Sequence, residues 1–206
     1  MTRNGRASGA FGWVALAALL ALSAALGHGV DPALLDWQPA LSGSQPWRGL
    51  TAVAVHYSTL HLGANLAGAT AVAILGVAAG LPLRCSAAWA LAWPLTQAGL
   101  LLRPDLLHYG GLSGVLHAGV AIAALHLAWV GDAARRTIGV GLAIGLVLKV
   151  LGETPWGPAL SRPAGWDIAV APFAHLTGVL AGFGSGLLAE VVAAGAAMRR
   201  RRTPRH

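Results

Sequence analysis

Charge is what this chain most lacks. Asp and Glu number seven in 206 residues, and all charged types together make up 10%. A soluble domain carries about 25%, so an ordinary water-facing surface is excluded. Cysteine is almost missing: Cys85 stands alone, which rules out an intrachain disulfide and leaves it as an incidental residue at a turn. Runs of β-branched residues and alternating apolar-polar stretches are few, which argues against a membrane β-barrel. There is no fixed-period repeat, no low-complexity tract and no H-E-x-x-H metal motif.

Apolar residues are what is abundant, at 56%, with a mean hydropathy of +0.64. Scanned for runs of about 17 to 25 residues, the chain offers apolar segments near 11–27, 59–83, 86–102, 111–130, 137–152 and 168–197. The expectation is an all-α membrane protein of six transmembrane helices, because helices satisfy their own backbone groups in lipid. The 28 glycines fit close helix packing.

Orientation follows from the basic residues. Arg3, Arg6, Arg84, Arg135, Arg136, Arg199 to Arg202 and Arg205 fall on one side of the predicted spans. Cytoplasmic loops keep Lys and Arg, so both termini are expected inside. Residues 1–10 would be a cytoplasmic start and 198–206 a basic cytoplasmic tail on a single domain of 1–206. The net charge of +7 is then a topology signal with possible contact to anionic lipid. It is not a nucleic-acid footprint, because the cations sit in short flanks without interleaved aromatics. Residues 1–27 have the basic start and apolar core of a signal peptide, with "SAALG" resembling a cleavage site. Retention as the first span is the reading that keeps the tail inside. The longest outer stretch, 28–50, holds Trp37 and Trp47, both expected at the interface.

Ionisable residues within spans mark function by default, and here most are histidines. His61 and Asn65 open the second span, Ser113 and His117 the fourth, and His175 lies about two turns into the sixth. These three spans run in the same direction, so their first halves share a depth. His61 and Asn65, four residues apart, share a helix face. Gly110, Gly111 and Gly114 surround Ser113 at a helix mouth, where backbone N–H groups can receive an oxyanion. A serine needs a base, and His175 is the best placed. Glu190 lies too far along the last span and Asp167 at its mouth, so a Ser–His dyad is expected rather than a triad. Gly178, Gly182 and Gly186 form a stripe for close packing.

"WRGLTAVAVHYSTLHLGAN" (47–65), "GGLSG" (110–114) and "AHLTGVLAG" (174–182) together resemble the rhomboid family of intramembrane serine proteases. The resemblance implies the six-helix rhomboid fold, Ser113 as nucleophile and His175 as base. It also implies an oxyanion hole from His61, Asn65 and the Ser113 N–H, and a structural motif at Trp47 and Arg48 in the first outer loop, beside His56. It implies no cofactor and no metal. His117 stands where most rhomboids have Tyr, leaving packing and substrate recognition both open as its role. "GLSGVLH", the small size, and Lys149 with Glu153 resemble the rhombosortase branch. That branch processes membrane-anchored proteins ending in Gly-Gly, an apolar helix and a basic tail. Lys149 and Glu153 also read as a plain i,i+4 pair. Two other readings are an inactive rhomboid-like client binder, and a haem or metal protein using His61, His117 and His175.

Overall fold

Local chemistry sets the ends of the helices. Ser58 caps α4 (Thr59–Ala79) by accepting from the His61 N–H, and Gly80 ends it in the left-handed region. Pro82 opens α5 (Leu83–Gly99). Asp132 caps α7 (Ala133–Gly152). The remaining long helices are α1 (Arg3–Gly27), α6 (Ser113–Val130) and α8 (Pro172–Arg202). Short helices α2 (Pro32–Leu35) and α3 (Arg48–Thr51) lie in the first long connection. The computed structural model describes residues 3–202, with side chains over 7–200. The side chains of Arg3, Arg6, Arg201 and Arg202, and all of Arg205, fall outside the described residues.

The described residues are helical, without a strand, and the long helices match the predicted segments with shifted ends. The segment expected over 168–197 begins as a helix only at Pro172, and that expected over 59–83 stops at Gly80, whose αL geometry terminates it. Helices α1, α4, α5, α6 and α8 contain stretches long and apolar enough to cross a membrane. Helix α7 is of similar length, but every 18-residue stretch of it carries Arg135, Arg136 and Lys149.

Helix α6 is the centre. In its span 61% is buried, against 28% in α4 and in α8. It packs on α4, α5, α7 and α8, while α1 closes the far side against α4 and α5. Two indoles tie this core together: Trp13 donates to the Val72 carbonyl at 2.8 Å and Trp89 to the Val115 carbonyl at 2.8 Å, their rings 4.5 Å apart. Gly76 is required there, because a Cβ would overlap the Trp13 indole. The first helix is therefore an integral part of the core. Helix α7 leans chiefly on α6, leaving a gap towards α4.

Two sequence expectations are corrected. Trp37 does not lie on the protein surface: it is 4% exposed and exchanges backbone hydrogen bonds with Tyr109 at 2.7 and 2.9 Å. Tying the first long connection to the segment before Ser113 buries it. Cys85 is not an incidental turn residue either. It is buried in the first turn of α5, with Sγ 3.9 Å from Glu190 Oε1. Glu190 also accepts from Arg84 Nε and Nη2 at 3.1 and 3.0 Å and from His126 Nδ1 at 2.8 Å. Close helix packing brings these four residues of α5, α6 and α8 together far from Ser113.

Candidate active site

Ser113 is the first residue of α6, so its N–H has no acceptor within the helix. The turn before it needs glycine. Gly111 has φ +136°, and a Cβ there would stand 3.0 Å from Cε1 and Nε2 of His61. The Gly111 N–H is held by the Ala52 carbonyl at 2.9 Å. Buried Tyr109, which sequence reasoning passed over, points its hydroxyl at the Gly111 carbonyl at 3.4 Å and also faces Ser113. Burial pushes that phenol up to about 12, so it stays protonated. An aromatic directly before a Gly-Gly turn was its only signal.

His175 reaches Ser113 because α6 and α8 touch backbone to backbone. A Cβ at Gly178 would fall onto the Gly114 carbonyl, one at Gly182 onto that of Ala118, and one at Gly114 onto that of Ala174. At this approach the Ser113 hydroxyl lies 2.9 Å from His175 Nε2.

The sequence pointed to no carboxylate for the second nitrogen of His175, and the structure places one there. His175 Nδ1 lies 2.7 Å from Glu153 Oε2. A carboxylate only accepts, so the proton is assigned to Nδ1, leaving the Nε2 lone pair to accept from Ser113. Glu153 was missed as a partner of His175 because it sits on neither α6 nor α8: it follows α7, whose C-terminal end returns to the level of His175. The i,i+4 pair read in the sequence is also present, with Lys149 Nζ 2.8 Å from Glu153 Oε1. Burial opposes ionisation of Glu153, but its hydrogen bonds and charge attraction to His175 and Lys149 outweigh it and hold its carboxyl at about 2.

His117 joins the same network. Its Nδ1–H donates to the Ser113 carbonyl at 2.7 Å, its Nε2 accepts from Lys149 Nζ at 2.6 Å, and its ring stacks on His175 at 4.3 Å and 14°. Both ring nitrogens of His117 and of His175 are thus engaged, and the rings lie face to face. Stacked in this way, the His117 and His175 rings leave no gap for a macrocycle between them. A different set, Cys85, His126 and Glu190, brings one ligand atom each within 4.8 Å of one another. There the Arg84 guanidinium already supplies the cation.

His61 and Asn65 line the same cavity of about 610 Å³ as Ser113, His117, Glu153 and His175. Asn65 Nδ2 donates one hydrogen to the His61 carbonyl at 3.0 Å, leaving its second available to the cavity. His61 packs its ring 4.7 Å from His56, and burial holds the His56 imidazole at about 4, hence neutral. No protein-family model, curated protein or solved structure matches this chain. The site therefore stands on its own geometry.

The remaining sequence candidates are supports. Arg48 is buried and donates to the Asp36 carbonyl at 2.9 Å, Asp36 Oδ1 at 3.2 Å and Gln45 Oε1 at 2.6 Å, while Trp47 is half exposed. Asp36 also accepts from His108 Nδ1 at 2.7 Å. The connection after α7 covers the cavity: Leu160, Pro163 and Trp166 line it, and Asp167 accepts from Ser58 at 2.8 Å. The sequence showed this stretch only as rich in turns, so Trp166 was missed as a wall of the site.

Proposed function

We propose that this chain is an intramembrane serine endopeptidase with a rhomboid-type six-helix fold, closest in character to the rhombosortase branch. The observation that carries this reading is the 2.9 Å hydrogen bond between Ser113 Oγ and His175 Nε2, made inside a cavity enclosed by apolar helices. A hydroxyl, a base with its lone pair turned towards it, and donors across the cavity are what acyl transfer requires.

In the proposed reaction, a peptide carbonyl lies between Ser113 and the pair His61 and Asn65. Ser113 Oγ bonds to the carbonyl carbon and its proton passes to His175 Nε2. The carbonyl oxygen becomes an oxyanion held by the Ser113 N–H, Asn65 Nδ2 and His61. The C–N bond then breaks, and the leaving amine takes the proton from His175. Water repeats the sequence on the acyl-enzyme: His175 removes its proton, the new acid departs and Ser113 regains its hydrogen. No redox or metal partner is needed for the balance.

The substrate in this reading is a membrane-anchored protein, cut near the outer face, with a Gly-Gly, apolar helix and basic-tail signal as the leading class. The chain would lie in a bacterial inner membrane with both termini cytoplasmic. The basic flanks and the helix order support that orientation.

The test pairs a reporter ending in Gly-Gly, an apolar helix and arginines with wild type, Ser113→Ala or His175→Ala. Mass spectrometry of the released product should show a new C-terminus with wild type only, and a fluorophosphonate should label wild type and not Ser113→Ala. Full cleavage by Ser113→Ala would end the proposed mechanism. Absence of both labelling and cleavage in wild type would favour an inactive client-binding protein.

A further inference from the structure

The base His175 is held from a helix that contributes neither the nucleophile nor the base. We infer that Glu153 is a positioning residue completing a Ser113–His175–Glu153 triad, with Lys149 clamping its second oxygen. The inference rests on the serine protease reading and deepens it.

Three observations support it. The two carboxylate oxygens are divided: Oε2 accepts from His175 Nδ1 at 2.7 Å and Oε1 from Lys149 Nζ at 2.8 Å. Lys149 is fixed in turn by His117 Nε2 at 2.6 Å, and His117 by the carbonyl of the nucleophile's own residue at 2.7 Å. The network thus closes on itself, from Ser113 through His175, Glu153, Lys149 and His117 back to Ser113. Directly after Glu153 the chain turns at Thr154, a non-glycine residue with φ +50°. That conformation disfavours a β-branched side chain, so the turn must be held by its surroundings.

The chemistry follows from charge. When His175 takes the serine proton it becomes a cation, and Glu153 lies against the nitrogen that carries the second hydrogen. Lys149 opposes that cation, with Nζ 3.3 Å from His175 Nδ1. The other titratable groups facing His175 are His117, stacked on it from α6, and His61 from α4. The carboxylate therefore fixes the tautomer and favours the protonated base, while the ammonium limits how far it does so.

Opposite effects of the two charges provide the test. The full chain is purified in detergent, and Ser113 labelling by a fluorophosphonate is timed from pH 4 to 9. Serine bonds to phosphorus and fluoride leaves, with His175 taking the proton. Glu153→Gln should slow labelling by about 10² to 10⁴-fold and move the acid limb to lower pH by about one unit. Lys149→Met should move that limb to higher pH. Glu153→Asp should recover part of the lost rate. A structural role would slow all variants without shifting the limb in opposite directions.

A second measurement needs no variant. In ¹⁵N-histidine-labelled wild type, a low-field Nδ1 proton should be visible and should move once Ser113 is phosphonylated. Glu153→Gln labelling at the wild-type rate with an unmoved acid limb overturns the inference, as does the lack of such a proton. Labelling that persists in Ser113→Ala would instead overturn the serine protease reading itself.

Discussion

His61 and Asn65 illustrate how one helical turn can serve two purposes. Ser58 caps α4 through the His61 N–H, and Asn65 donates back to the His61 carbonyl, so the backbone that starts the helix also aims both side chains. For His61 to donate from Nε2 its proton must sit there, leaving Nδ1 as an acceptor. That Nδ1 is buried with no partner among the described residues, as are both ring nitrogens of His56 beside it. A His56 held neutral by burial places no full charge beside His61. Asn65→Ala and His61→Ala are each expected to lower turnover of the reporter by about 10² to 10³-fold with a smaller change in apparent affinity. A steady-state comparison of kcat and KM separates these effects. Equal loss in KM alone would assign the pair to substrate binding instead.

At the scale of elements, the decisive contact is between α6 and α8. Gly114, Gly178 and Gly182 let two backbones meet, and that meeting places a hydroxyl on one helix against an imidazole on the other. The carbonyls they meet cannot rotate away as a flexible side chain would. Gly178→Ala should therefore push α8 outward, and a misplacement of about 1 Å costs about 10²-fold in rate. Fluorophosphonate labelling should fall by that order, whereas Gly184→Ala, where a Cβ meets nothing within 4 Å, should label as wild type. Helix α7 is different. It reaches the site by its end, through Lys149 and Glu153, and holds to the bundle chiefly through α6. Ser113 and His175 thus share a tightly packed unit, while Glu153 comes from the end of a helix with fewer attachments.

For the whole molecule, the helical layout was readable because lipid-length apolar runs and their basic flanks leave little choice of element. The Ser113, His175, His61 and Asn65 group was readable because helices running in one direction put equal sequence offsets at equal depth. Glu153 escaped that logic, since it lies at the end of an antiparallel helix and depth alone does not say which helices are neighbours. Trp37 and Cys85 escaped it too, because their burial depends on partners more than 70 residues away, Tyr109 for one and Glu190 for the other. The opposite pole of the bundle carries its own buried charge. Arg84 keeps a third of its side chain exposed, so removing buried Glu190 costs less than the about 3 to 5 kcal/mol of a fully buried pair. Glu190→Ala, which strands Arg84 and His126, should show a marked drop in midpoint in a detergent melting experiment, and a double Arg84→Met, Glu190→Ala variant should recover part of it.

Cys85 also has a practical consequence. The sole thiol is 2% exposed and sits against a carboxylate, enclosed by α5 and α8. The native chain therefore presents a blank background to water-borne thiol reagents. A cysteine introduced on the covering segment, or a pair facing each other across the gap between α4 and α7, would be the sole reporter of its position. Spin labels or cross-linkers could then follow that gap in the otherwise unmodified protein.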